Sequence, residues 1–431
     1  MTLFLCCGNT KIMSQFLIEA KEADVIGSGI LSQEEQQRVF APLEKAETLP
    51  ARCFFDPEFF AAEREEIFKK RWVALTFEAV VAQLNAAYPC EIADIPVLVT
   101  RDGEGCLRTF LNISPFDRAP IVMEPRSGCS NIEASYHGFV YNFDGSLRQA
   151  PYWSGRKDCS AQDMGAHALD LVPLASAVWR GIVFVNGSSS PPSFSEFIAP
   201  LEERLTGFDL SNLAIGLTEL SDRPDIDRLE MGGNWKTVFE NACMNVYHEG
   251  FVHDAYRKSP DVPRVTEDGQ RTFEPVNDRG LTGLIFDEDH SSETYQALPL
   301  PKILMRDGSQ STQRLILSLY PNLFFSVLGE HVNATILRPL GSENSEMMMA
   351  KFFDRSVAQC EEQAVMRLLV REGWRQAGNE DAAIVRGIQK GRRAFPNATG
   401  CFAPFWDSAH HSFTKMVASD LGANSMPEDL K

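Results

Sequence analysis

The chain has 431 residues, 44% hydrophobic and 23% charged, the composition of a globular protein too long for one small core, so two or three domains are expected. With 41 Lys plus Arg against 59 Asp plus Glu the formal net charge is −18, which repels a polyanion at long range and excludes nucleic acid as a partner. No run approaches the ~18 apolar residues of a membrane-spanning helix, and ten cysteines without repeated spacing are expected of a protein of the reduced cytoplasm, with no membrane partner.

Residues 1–13 have a short apolar patch with no basic stretch before it and no small-residue cleavage site after it, so no signal peptide is expected and Met13 is an alternative start. Residues 14–47 are polar with helically spaced apolar positions and predict a loose helical arm. An amphipathic helix follows over 59–72 (FFAAEREEIFKKRW). Between 92 and 187, β-rich runs such as PVLVT, CLRTFLNI and GIVFVNG, cut by Asp-Gly and Asn-Gly turns, predict an antiparallel β domain. The SSSPP stretch at 188–192 reads as a linker, followed by a helix over 197–208.

The second half opens on a strand-like LAIGLTEL and passes a helix over 235–253. Strands are expected at 315–320, 323–328, 335–339 and 347–353, then helices over 358–377, 380–390 and 408–420. This order predicts an α+β protein with an N-terminal arm (1–48), a β domain (49–196) and a second domain (197–431) whose helices pack on an antiparallel sheet.

The strongest local chemistry lies in the predicted helix over 235–253, where His248 and His253 are bracketed by Asn241, Asn245, Tyr247 and Glu249. Two neutral imidazoles with one carboxylate suit Fe(II) and leave sites open for oxygen and substrate. Taken alone, such a pair is more often a polar patch or a satisfied interior pair. Five residues apart, the two rings would also point about 140° apart on an ideal helix. Convergence therefore calls for a local distortion such as a π-turn, which Gly250 would ease.

The region from Asn234 through Asn241, Tyr247 and His248 to His253 resembles the metal-binding helix of Rieske-type non-haem iron oxygenase α subunits. The likeness extends in family order through LPARCFFDPEFFAAEREEIFKKRWVAL, YHGFVYNFDGSLRQAP, WRGIVFVN, YPNLFF, NEDAAIVRGIQKG and HHSFTK, over most of residues 49–420. It implies a Rieske-like antiparallel β domain and a helix-grip-like catalytic domain. It also implies a mononuclear Fe(II) held by His248, His253 and Asp381, the last from an Asn379-Glu380-Asp381 motif expected to open a helix. Glu380 is the competing ligand, and Asn241 is expected to orient ligands or bound water.

In that family the β domain carries a [2Fe–2S] cluster on Cys-x-His and Cys-x-x-His loops. The corresponding positions here read Ser114, Phe116, Ala134 and His137, with a family-like seventeen residues between Phe116 and Ala134. Three of four ligands are replaced, so the cluster is expected to be absent and its space filled by apolar packing. Neither Cys106 nor Cys129 lies at a loop tip where it would substitute. Asn245 stands where the family has an acid that links the first iron histidine to a neighbouring subunit's cluster. The resemblance thus predicts an oxygenase acting on a small organic substrate and O2, fed by a cluster-bearing paralogue or a reductase in a trimer-based hetero-oligomer. The alternative is a non-catalytic structural or regulatory subunit. Pocket walls are expected between 260 and 305, where Phe273, Phe286 and Tyr295 read equally as core.

Overall fold

The computed structural model describes residues 30–164, 169–218, 223–243, 245–257, 262–287 and 299–422. They fall into two compact units, 68–192 and 30–67 with 193–422. The architecture is α+β, with antiparallel sheets in both units. Among these residues no helix is long and apolar enough to cross a membrane.

Among the described residues the first unit contains nine strands: β1 (Val73–Phe77), β2 (Ala86–Ile92), β3 (Ile95–Arg101), β4 (Leu107–Leu111), β5 (Ile132–Glu133), β6 (Val140–Tyr141), β7 (Leu147–Gln149), β8 (Pro173–Trp179) and β9 (Ile182–Asn186). Six form one sheet in the order β1-β9-β8-β4-β3-β2, and β5-β6-β7 form a small second sheet. The β-branched IVFVN run of β9 is buried along its whole length, as a strand covered on both faces requires. Leu98, Phe110, Ile121, Val122, Ile132, Phe139 and Tyr141 make one apolar core beneath the small sheet.

The second unit is built on an eight-stranded antiparallel sheet. Its strands are β10 (Leu213–Ile215), β11 (Ile226–Glu230), β12 (Phe273–Asp278), β13 (Leu281–Asp287), β14 (Gln313–Leu319), β15 (Leu323–Val327), β16 (Val332–Pro339) and β17 (Ser345–Asp354). The order is β10-β17-β16-β15-β14-β13-β12, with β11 also pairing with β17. Its longer helices among the described residues are α1 (Gln33–Phe40), α2 (Pro57–Glu63), α3 (Phe194–Leu205), α4 (Trp235–Cys243), α5 (Asn245–Val252), α6 (Ala364–Ala394) and α7 (Ser408–Gly422). The α4 helix is held between sheet and α7 by rings: Phe239 stacks on Phe413 at 4.2 Å and meets Phe324 edge-on at 5.3 Å.

Three expectations are corrected. Residues 49–67 group with the second unit rather than with the β domain, because the amides of Ala51 and Arg52 donate to the carbonyls of Ala398 and Pro396 at 2.9 and 2.7 Å. Glu63 is buried there too, paired with the fully buried Lys236 and accepting from Trp235 Nε1 at 2.9 Å. The expected helix over 59–72 is accordingly short: α2 ends at Glu63 and one π-helical turn, Arg64–Phe68, follows. Finally, the two helices expected over 358–377 and 380–390 are one 31-residue helix, α6. The buried positions Arg367, Val370, Gly378, Ala382, Val385 and Gln389 keep a helical stripe through the expected break. Gly378 is there for close approach, since a Cβ would stand 2.6 Å from Leu229 Cδ2 of β11.

Candidate metal centre

The α5 helix presents His248 from its middle and ends at Val252, so that His253 is the first residue beyond it, its amide donating to Glu249 O at 3.1 Å. Leaving the helix, rather than a π-turn, turns the second imidazole toward the first; the ring centroids are 5.3 Å apart. Gly250 serves packing instead, as a Cβ there would lie 2.6 Å from Val262 Cγ1.

Asp381 comes from the middle of α6, not from a helix start, so the helix dipole does not account for it. Donor atoms of His248, His253 and Asp381 lie within 4.8 Å of one another, and no other such group of three is found among the described residues. Asp381 Oδ1 is 3.3 Å from His248 Nε2 and 3.6 Å from His253 Nε2, buried and accepting no hydrogen bond. A buried carboxylate oxygen without a donor, facing two imidazole nitrogens, is the arrangement that a bound cation completes.

Glu380 is placed differently. Its Oε2 lies 2.9 Å from His253 Nδ1, and its other oxygen accepts from Gln376 Nε2 at 3.1 Å. Burial alone would raise this carboxyl; the bonds from His253 and Gln376 override it and hold the group below its usual value. An ionised Glu380 keeps the proton on Nδ1 and leaves the Nε2 lone pair toward Asp381.

Sequence reasoning missed what fixes α5. Glu249, between the two histidines, accepts two bonds from Arg264, at 2.7 and 3.1 Å, and the guanidinium lies 3.6 Å over the Phe286 ring. Nothing local to Arg264 marks it as a partner; only its position in the fold does. Both side chains are almost fully buried, so Glu249→Ala leaves an uncompensated charge and should cost about 3–5 kcal/mol, whereas Glu249→Leu with Arg264→Met should recover most of that. Urea unfolding of the three proteins checks this, and equal midpoints for the single and double variants would contradict it.

Asn241 is half-buried in α4, and Asn245 opens α5 with its side chain outside the described residues. Of the expected pocket walls, Phe286 lies under Arg264 and Tyr295 falls outside the described residues. Phe273 stacks on Trp406 at 5.9 Å, with Tyr247 5.4 Å from the same indole. These rings, with Cys243 and Leu284, line a pocket beside α5.

In the first unit the two loops named from the sequence do come together. Ser114 N donates to Ala119 O at 2.7 Å and Ala134 N to Phe139 O at 2.7 Å. Across them His137 Nδ1 meets Asp117 Oδ2 at 2.9 Å. Burial works to raise the Asp117 carboxyl, but bonds from Ser114 and the Ala119 amide, with His137 alongside, lower it. Ala134 joins the apolar core as expected. Phe116 does not: it is 47% exposed and sits in a surface group of rings with His137, Phe139 and Trp153 at 5.4–5.6 Å. The loop holding it is closed by short backbone bonds, which point the ring outward instead of into the small core.

Residues 220–423 match the family model described as ring hydroxylating alpha subunit (catalytic domain). Choline monooxygenase of Arabidopsis thaliana, a chloroplastic protein, is 24% identical over 374 residues, 86% of this chain and 82% of that one. The carnitine monooxygenase oxygenase subunit of Escherichia coli K12 is 24% identical over 51% of this chain and 56% of its own length. Among solved structures, naphthalene 1,2-dioxygenase from Rhodococcus superposes with a TM-score of 0.72 at 18% identity, covering 92% of this chain and all of that one. A quaternary ammonium Rieske monooxygenase gives 0.66 at 18% identity over 89% and 98% of the two chains. At these identities the structures establish the fold.

Proposed function

Because the chain belongs to the family of Rieske-type non-haem iron oxygenase α subunits, a family of oxidoreductases with a non-haem iron catalytic centre, we propose that it is a mononuclear-iron oxygenase component that takes its electrons from a cluster-bearing partner. The observation that carries this reading is the convergence of His248, His253 and Asp381 around one undonated carboxylate oxygen. Iron bound there supplies oxygen-activating chemistry, for hydroxylation or oxidative demethylation of a small organic molecule. The protein's part is positioning: Glu380 fixes the His253 tautomer, the Glu249–Arg264 pair holds α5 in place, and Asn241 orients what binds beside the histidines.

The substrate lies against the aromatic walls of Tyr247, Trp406 and Phe273. Relatives named for choline and carnitine make small N-methylated ammonium compounds the first to test, and ring faces attract such cations.

The chain holds no [2Fe–2S] cluster of its own in this reading, since Phe116 and Ala134 carry no donor atom and Asp117 engages His137. The partner docks on the surface around His137 and delivers electrons toward the helix of Asn245 in a neighbouring subunit. Anaerobically purified protein should therefore contain close to one iron per chain and no acid-labile sulfide. Stoichiometric sulfide would overturn the split arrangement.

A further inference from the structure

The C-terminal half of α6 buries one side only. Ala382, Val385 and Gln389 are buried, while Ile384, Ile388 and, just past the helix, Phe395 are 43%, 39% and 71% exposed. With Gly391 these apolar positions recur every three or four residues, so they form one stripe along the outer side of the helix. A Cβ built on Gly387 or Gly391 meets no atom of the described residues within 4 Å, so the middle of the stripe is open.

The charge here runs against that of the chain. Residues 382–406 contain four Lys plus Arg and no Asp or Glu, in a protein of net charge −18. Three acids reach this stretch from elsewhere in the fold, and each is held there: Glu240 by Arg392 at 2.6 Å, Glu343 by Arg393, and Glu47 by the Thr399 hydroxyl at 2.6 Å. The other two cations, Arg386 and Lys390, stand four residues apart on the exposed side and make no ion pair. The stem of Arg386 lies against Gly232, which holds its guanidinium beside the stripe. The stripe starts at Ile384, about one helical turn beyond Asp381.

Resting on the oxygenase reading above, we propose that the outer face of α6 from Ile384 to Phe395 receives the electron-supplying partner, and that this partner is an acidic iron–sulfur protein. An apolar centre rimmed by charge is the usual build of a protein interface. Here the partner's apolar residues cover Ile384, Ile388 and Phe395, and its carboxylates pair with Arg386 and Lys390. The chain's overall charge repels an acidic protein at long range, so the acid-free face decides where such a partner settles and in which orientation. The helix beneath it carries an iron ligand. This face belongs to the second unit and the rings around His137 to the first, so the two footings can be tested apart.

The test titrates the purified, iron-loaded chain with an acidic plant-type [2Fe–2S] ferredoxin and follows binding by calorimetry. Binding should weaken as salt is raised to physiological strength, where charges are screened beyond ~8 Å. Gly391→Glu sets a like charge in the open middle of the stripe, and Lys390→Glu reverses one of the two cations; each should weaken binding roughly tenfold, whereas Lys390→Arg should keep it. Glu is the better helix former, so the melting temperature of Gly391→Glu should be unchanged or higher, which separates lost docking from a lost fold. No binding, binding indifferent to salt or to both charge changes, or cross-links confined to the first unit would overturn the proposal. So would sedimentation showing that Gly391→Glu breaks up an oligomer of the chain alone, since the face would then belong to a second copy. Iron content measured on the same samples separates the two readings: full iron without docking sinks the docking face alone, and docking by a chain that holds no iron sinks the oxygenase reading alone.

Discussion

Asp381→Ala and His253→Ala should lose their iron to a mild chelator under conditions where the unaltered chain keeps close to one iron per molecule. Removing one of three protein ligands from an open Fe(II) site leaves two donors, too few to compete with a multidentate chelator. In the structure the loss would be compounded for Asp381, because its Oδ1 is the shared neighbour of both imidazoles, 3.3 and 3.6 Å away, and its removal leaves two neutral rings around a cation. Glu380→Ala is expected to behave differently. Its carboxylate engages the far nitrogen of His253, so the variant should still bind iron with affinity reduced roughly 10- to 100-fold, the usual cost of losing a partner that orients a ligand. Metal analysis after graded chelation orders the variants. If Glu380→Ala emptied and Asp381→Ala stayed full, the ligand assignment would be shifted by one residue.

The ordering is sharp because the two neighbours differ only in where α6 points them. From the sequence, Glu380 and Asp381 were competitors for one role, and both were expected at a helix start where a macrodipole explains an acid without any metal. Placing them in the middle of a 31-residue helix removes that explanation. The continuity of α6 was hard to read because Gly378 and Asn379 look like a stop signal. What overrides it is tertiary: the glycine lets the helix lie against Leu229 and Met347. The antiparallel strands of both units were legible from alternation and turn pairs, and the histidine pair from its motif. The attachment of 49–67 to the second unit was not, since it rests on Glu63 meeting Lys236 across 173 residues of sequence. The Glu249–Arg264 contact was invisible for the same reason.

The degenerate loops show how far residue identity alone carries. The resemblance led to Ser114, Phe116, Ala134 and His137 as the positions of cluster ligands, and the two loops that carry them do come together, His137 Nδ1 meeting Asp117 Oδ2 at 2.9 Å. The outward turn of Phe116 was not readable, because it depends on how the Ser114–Ala119 turn closes. Its consequence is a surface bearing Phe116, Tyr136, Tyr152 and Trp153, with Tyr136 and Tyr152 each more than 60% exposed. Exposed aromatic clusters of this kind are characteristic of surfaces that bind another protein. This supports the proposal that the first unit docks against a partner through this surface.

With NADH and a reductase, the isolated chain should turn over no substrate even when fully loaded with iron, and a mixture with a cluster-bearing paralogue should be active. In the proposed reading each catalytic cycle needs electrons from outside, and Phe116 and Ala134, which carry no donor atom, leave this chain without a relay of its own. Activity of the mixture should therefore require the partner's cluster and this chain's His248 together, and His248→Ala in the mixture should fall to the level of the partner alone. Asn245 refines the test. It offers an amide where the family resemblance implies an acid, able to hydrogen-bond an imidazole but not to carry charge or take up a proton. Asn245→Asp should maintain or raise the rate while shifting its pH profile if electrons enter past α5, whereas an Asn245 far from the route would leave both the rate and its pH profile unchanged. The measurement is oxygen uptake set against product formed, for each protein alone and for the mixture. Coupled turnover by the isolated chain would falsify the need for a partner, and full activity of the mixture with His248→Ala would mean that this chain serves assembly rather than catalysis.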